Sequence, residues 1–271
     1  MNSENAKDIP DAITEIERTI LYIKKTIQTW EFVEYKKISL GAKTGNIHRV
    51  PLGVVLAISP FNYPINLALA KIAPALLAGN TVVFKPATNG SLSGAYLTEL
   101  IAKTDLPKGA FNLVTGRGKD IGYELTSNKE IDMITFTGSV RVGKGIAKAQ
   151  SMKPLVLELG GNDAAYIRFD ADIDLAVKEV AKGAFSFSGQ RCTAIKRVIL
   201  HKDIKEEFID KLIDIVKRMK TNALITSSAA SYVEELIQDS KNRGDNFILE
   251  GQRVVNEIPF HIVETTKDSR A

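Results

Sequence analysis

From position 54 onward the chain alternates short apolar runs with helical patterns, and this alternation constrains the fold more than any other feature. VVLAIS (54–59), TVVF (81–84), FNLVT (111–115), MITFT (133–137) and LVLEL (155–159) read as buried strands. Helical patterns fill the gaps at 65–78, 93–103, 119–127 and 140–150. A strand apolar along its whole length needs cover on both faces. Strands that alternate with helices pair in parallel. The pattern therefore predicts an α/β fold, a Rossmann-like parallel sheet with helices on both faces.

The flanks read differently. Residues 1–37 read as an amphipathic helix, with Ile13, Ile16, Ile20, Ile23 and Ile27 at three- and four-residue steps. After AAYIRF (164–169), a helix is expected over 173–187, then amphipathic helices over 205–220 and 231–243, and a strand-like FILEG. The polar end, VETTKDSRA, shows no closing element.

Composition narrows the function classes. The 36 basic and 32 acidic residues leave a net charge of +4 without the clustered basic stripe of a nucleic-acid binder. A single cysteine allows no internal disulfide and no cysteine-based metal cage, which suits a reducing compartment. The three histidines, His48, His201 and His261, have no ligand spacing, so no metal is expected. The first residues lack the basic-then-apolar layout of a signal peptide, and no apolar run reaches membrane-spanning length. The expectation is a cytoplasmic protein without membrane or nucleic-acid partners.

Three stretches carry candidate chemistry. The lone cysteine, Cys192, lies in FSFSGQRCTAIKR. A cysteine alone is as often a small buried hydrophobe. Here Gly189 permits a tight turn, and Arg191 beside the sulfur favours the nucleophilic thiolate. In LELGGND (157–163), Glu158 closes an apolar strand just before two glycines. Such a glutamate is ordinarily a surface residue, but parallel-sheet proteins place their sites at the carboxyl ends of strands. In SPFNYP (59–64), Asn62 sits in a proline-bracketed turn before a helix. It is there either a helix cap or a donor toward a developing oxyanion.

Together with VVFKPAT and FTGSVRVG, these stretches resemble the aldehyde dehydrogenase superfamily in order and spacing, from residue 51 to about 220. The resemblance implies an aldehyde dehydrogenase-like fold: an N-terminal helix and dinucleotide-binding domain over 1–160, and a partial α/β catalytic domain over 161–271. It implies that Cys192 attacks the aldehyde and forms a thiohemiacetal, that Asn62 and the Cys192 N–H hold the oxyanion, and that Glu158 activates water to hydrolyse the thioester. Ser59, Lys85, Thr88, Gly138, Ser139 and Gly143 fall at its cofactor positions. Many NAD-preferring members carry an acidic residue where Thr88 stands, so NADP is expected, with NAD as the alternative. FNYP and GQRCTA look most like the non-phosphorylating glyceraldehyde-3-phosphate dehydrogenases, which implies a phosphorylated small-molecule aldehyde bound by Tyr63, Arg191 and Thr193. An arginine's planar fork suits a phosphate.

The match has gaps. Family members carry additional elements before and after the stretch matched here. These include a glutamate-phenylalanine motif, a further substrate arginine and the strand through which the family homo-oligomerises. TIQTWEFVEYKK lacks the arginine of its counterpart, Asn162 replaces a common lysine, and KTNALITSS (220–228) replaces a longer connection. The expectation is a chain truncated at both ends. The stripes Ile209, Leu212, Ile213, Val216 and Val233, Leu236, Ile237 are then expected to lie exposed. The alternative function is a catalytically inactive remnant, or a partner-dependent fragment, that retains only nucleotide binding. Glu158 speaks against a third reading, a CoA-acylating relative.

Overall fold

The computed structural model describes residues 1–30, 35–149 and 152–265. By its internal packing the chain divides into two compact units, Met1–Asn5 with Ile9–Leu159, and Ala6–Asp8 with Gly160–Ala271.

The first unit opens with helices α1 (Asn2–Asn5) and α2 (Ile9–Trp30), then a hairpin of β1 (Tyr35–Leu40) and β2 (Lys43–His48). The sheet follows: β3 (Val54–Ile58), α3 (Asn66–Leu77), β4 (Thr81–Lys85), α4 (Ser91–Ile101), β5 (Phe111–Leu113), α5 (Gly118–Ser127), β6 (Met133–Thr137), α6 (Val140–Ala149) and β7 (Leu155–Glu158). Its order is β5-β4-β3-β6-β7, and every pairing is parallel. Side chains alternate across a strand. Val55 and Ala57 therefore pack with Ala68, Ile72 and Leu97 of α3 and α4, while Leu56 and Ile58 pack with Ile134, Phe136 and Ile146. The sheet is covered on both faces, as the alternation requires.

The helix expected over 1–37 is shorter. It ends at Trp30, and Tyr35–Lys37 belong to β1; residues 31–34 of TIQTWEFVEYKK lie outside the described residues. Its isoleucine stripe is also not its docking face. Ile13, Ile20 and Ile27 are about half exposed, while Glu15 and Thr19 are buried. The reason is a pair of hydrogen bonds. Glu15 Oε1 accepts from the N–H groups of Ile65 and Asn66, at 2.9 Å each. These groups open α3, which has no side-chain cap of its own. Glu4 does the same for α4, accepting from the N–H groups of Leu92 and Ser93. A carboxylate is stabilised at a helix N-terminus, where unpaired N–H groups and the helix dipole converge.

The second unit contains a parallel pair, β8 (Asp163–Ile167) and β9 (Ile195–Leu200), joined through α7 (Ile173–Phe185). It continues through α8 (Lys205–Val216) and α9 (Ser227–Arg243) to an antiparallel pair, β10 (Asn246–Leu249) and β11 (Ile262–Glu264). The polar end thus does contribute a closing strand. The stripe expected to lie exposed on α8 is packed instead: Phe208, Leu212 and Val216 are buried with Val177, Val180 and Ala181 of α7. On α9, Val233, Leu236 and Ile237 are half-buried. The helix α7 stops at Phe185 rather than 187, and α8 stops at Val216 rather than 220. Among the described residues, no helix is long and apolar enough to cross a membrane.

Candidate active site

In the first unit the candidate residues gather at the carboxyl ends of the strands. Ser59 follows β3, Lys85 ends β4, Thr137 ends β6 and Glu158 ends β7. The strand order reverses between β3 and β6: β4 and β5 lie to one side and β7 to the other. Such a switch point leaves a crevice outside the strand ends, where open α/β sheets bind ligands.

Two hydroxyls flank that point. Ser59 Oγ and Thr137 Oγ1 are buried, and among the described residues neither has a hydrogen-bond partner. A buried hydroxyl left unpaired costs about 1–3 kcal/mol, so two of them at the strand ends mark a place where a polar group would be stabilised. Lys85 is buried beside Ser59, whose N–H donates to the Lys85 carbonyl at 3.3 Å. Its Nζ donates to Pro86 O at 3.0 Å, and burial pushes its pKa down. Thr88 is exposed in the 3-10 turn Thr88–Gly90 that precedes α4.

The glycine turn after β6 is tightly built. The Gly138 N–H donates to the Glu158 carbonyl at 3.1 Å, and Ser139 Oγ accepts from Val142 N at 3.3 Å, starting α6. A Cβ at Gly143 would stand 2.5 Å from a methyl carbon of Leu159, so a larger residue there would push that side chain aside.

The Asn62 turn is pinned from several sides. Asn62 is buried, and its Oδ1 accepts from Tyr63 N at 3.0 Å, which fixes the amide with its oxygen toward the backbone. Asn5 Nδ2 donates to Phe61 O at 2.7 Å, and the Glu15 carboxylate holds the N–H groups of Ile65 and Asn66. Tyr63 lies next to Asn62, half-buried. One participant escaped the sequence reading. Lys71, on α3, is buried; burial pushes its pKa down and the Glu158 carboxylate pushes it back up. A lysine inside an apolar helical pattern gives no signal of this in the sequence.

In the second unit, Cys192 is exposed in the loop between α7 and β9. Three consecutive residues before it adopt left-handed backbone: Phe187 (φ 54°), Ser188 (φ 50°) and Gly189 (φ 71°). For phenylalanine and serine this conformation costs of order 1 kcal/mol or more and persists only where the surroundings enforce it. Here they do. Phe187 is buried under Lys7, whose Nζ lies 5.4 Å from the ring centroid. Ser188 Oγ accepts from Asn222 N at 2.8 Å, and Gln190 bridges Ala223 O (3.1 Å) and Ile225 N (2.9 Å). Asn222 in turn reaches Ala6 O and Asp8 Oδ2, both at 3.2 Å. The connection 220–228, which read only as a departure from the family, is what braces this loop.

Arg191 turns back onto α7. Its Nη2 donates to the carbonyls of Lys182 (3.2 Å) and Gly183 (2.5 Å), in the last turn of α7. Its Nε is buried and, among the described residues, has no partner. Thr193 is exposed next to Cys192. The glycine turn after Glu158 reaches this loop too: the position of a Cβ on Gly161 lies 3.5 Å from Cys192 O and 2.7 Å from Asp163 Oδ1.

The chain is similar to known proteins in sequence and in fold. The profile of the aldehyde dehydrogenase family matches residues 1–263. An NADP-dependent glyceraldehyde-3-phosphate dehydrogenase of Streptococcus equinus is 41% identical over 287 aligned positions, which cover all of this chain and 60% of that protein. The enzyme of that name from Arabidopsis thaliana is 42% identical over 219 positions, covering 78% of this chain and 44% of the relative. Among solved structures, the NADP-dependent glyceraldehyde-3-phosphate dehydrogenase of Bacillus halodurans, complexed with NADP, superposes with a TM-score of 0.95 at 39% identity. That match covers 99% of this chain and 60% of the other. The chain thus spans about 60% of the length of relatives that match it end to end. With the family profile spanning nearly all of its residues, the chain belongs to the aldehyde dehydrogenase family.

Proposed function

We propose that the chain serves NADP-dependent oxidation of an aldehyde to a carboxylate, with glyceraldehyde 3-phosphate converted to 3-phosphoglycerate. The observation that carries the nucleotide part is the pair of unpartnered buried hydroxyls, Ser59 and Thr137, at the switch point. Ser59, Lys85, Thr88, Gly138, Ser139 and Gly143 are the residues that would hold the nucleotide. A neutral Thr88 tolerates a 2′-phosphate that a carboxylate would repel. The relatives named above, and the structure from Bacillus halodurans, support NADP.

In this reading the Cys192 sulfur bonds to the aldehyde carbon, and the carbonyl oxygen becomes an oxyanion held by the Asn62 amide and the Cys192 N–H. Bound NADP supplies the hydride acceptor. Glu158 then takes a proton from water as its oxygen attacks the thioester, releasing the acid and returning the thiol. Tyr63, Arg191 and Thr193 are the residues that would bind the phosphorylated substrate.

The test is NADPH formation from glyceraldehyde 3-phosphate by the purified chain, with nucleotide affinity measured in parallel. Cys192→Ser is expected to abolish turnover while changing NADP affinity by less than about twofold. Tight NADP binding without turnover would leave only the nucleotide-binding reading, and absence of both would refute the proposal.

A further inference from the structure

We propose that Lys196 is a positioning residue for Cys192, aimed by a bulge in β9 at the two carbonyls that bracket the nucleophile and its neighbour. The proposal rests on the reading of Cys192 as the nucleophile. In the β8–β9 ladder, Asp163 stands opposite Ile195, but Ala164 stands opposite Arg197. Lys196 is therefore the extra residue of a bulge, an uncommon device in a parallel pair and one that re-aims a side chain next to a site.

Its Nζ donates to Arg191 O at 3.2 Å and to Ala194 O at 2.9 Å. These carbonyls lie on either side of Cys192 and Thr193, so one ammonium closes the loop around the sulfur-bearing residue. The next residue braces the facing turn, because Arg197 Nη2 donates to Asn162 O at 2.6 Å. Two successive cations, brought into play by one inserted residue, thus tie down both the Cys192 loop and the glycine turn that reaches it. Burial pushes the Lys196 pKa down, against the opposing pull of Asp163 and Cys192, and Arg191 adds to the lowering. Arg191 Nη2 bonds to α7, so Lys196 is the cation bonded to the loop itself.

The test uses the full chain, in which Cys192 is the only thiol. Its rates of alkylation by neutral iodoacetamide and anionic iodoacetate are compared for wild type, Lys196→Met and Lys196→Arg. Exchange of the amides around Cys192 is followed in the same proteins. In Lys196→Met, the iodoacetate-to-iodoacetamide ratio is expected to fall about threefold, because a local cation draws in the anionic reagent. Amide exchange over residues 189–194 is expected to rise about tenfold or more as the loop opens. Lys196→Arg restores both. If Lys196→Met does not fold, Lys196→Gln, which keeps a donor without the charge, is expected to lower the ratio while leaving exchange near wild type. An unchanged ratio and unchanged exchange in a folded Met variant, or an unchanged ratio in the Gln variant, overturns the proposal. The readout is the thiol and its loop, so failure of aldehyde turnover refutes the proposed function without altering this result.

Discussion

Replacing Glu15 with alanine removes a carboxylate that is 2% exposed and accepts from two backbone N–H groups at 2.9 Å. The helix α3 has no side-chain cap of its own, so both N–H groups lose their partner at the half-buried start of a helix. Leaving a buried donor unsatisfied costs about 1–3 kcal/mol, and losing a negative charge at a helix N-terminus about 0.3–1 kcal/mol more. Relief of the carboxylate's own desolvation offsets part of this, so the net loss is expected at about 2–4 kcal/mol. A domain has only about 5–15 kcal/mol to lose. Glu15→Gln keeps one acceptor oxygen without the charge and is expected to cost less than half as much. Urea unfolding followed by circular dichroism measures both. Hydrogen exchange adds the local consequence, faster exchange in the turn that carries Asn62. A Glu15→Ala variant within about 0.5 kcal/mol of wild type, the range of a neutral surface substitution, would refute the account of α2 as the helix that caps α3.

Further outcomes follow from the two units. The bond from Lys220, with a smaller contribution from Asn222 and against the opposing effect of burial, holds the Asp8 carboxyl below its usual range. Its stabilisation is present above the unfolded value of about 3.9 and lost as pH falls through the folded value. Asp8→Asn should therefore flatten the acid limb of the stability curve; an unchanged acid limb in unfolding scans would show that the bond contributes nothing. Thr88→Glu places a carboxylate within ångströms of a 2′-phosphate, a repulsion of about 1–4 kcal/mol at effective dielectrics of 80 to 20. NADP affinity should fall while NAD affinity holds, as read by fluorescence titration, and equal losses for both would contradict the role given to Thr88.

How much of this was legible beforehand differs between elements. The strands and helices from 54 to 159 were, because uninterrupted apolar runs and 3.6-residue patterns report burial directly. The five motifs were too, since each stretch must keep particular residue types at particular spacings. The β1–β2 hairpin was not: its strands are exposed on both faces, so nothing alternates along them. On α2 the pattern misled, since the most apolar face is solvent-exposed and the polar Glu15 and Thr19 are buried. Helix periodicity reports which side is apolar, whereas docking here is decided by unpaired N–H groups elsewhere in the fold.

The site shows the same division. Cys192, Glu158, Asn62 and Lys85 were candidates from sequence alone, because chemistry requires those side chains. The braces of the Cys192 loop were not, since Lys7, Asn222 and Gln190 are far apart along the chain and act through backbone atoms that any sequence possesses. The turn of Arg191 toward α7, and of Lys196 toward the Cys192 loop, depends on where α7 ends and on one extra residue in β9. The sequence by itself determined the sheet and the candidate site residues, through burial and residue type. Only the tertiary structure decided which buried polar atoms find partners, because hydrogen bonds depend on positions that folding alone brings together.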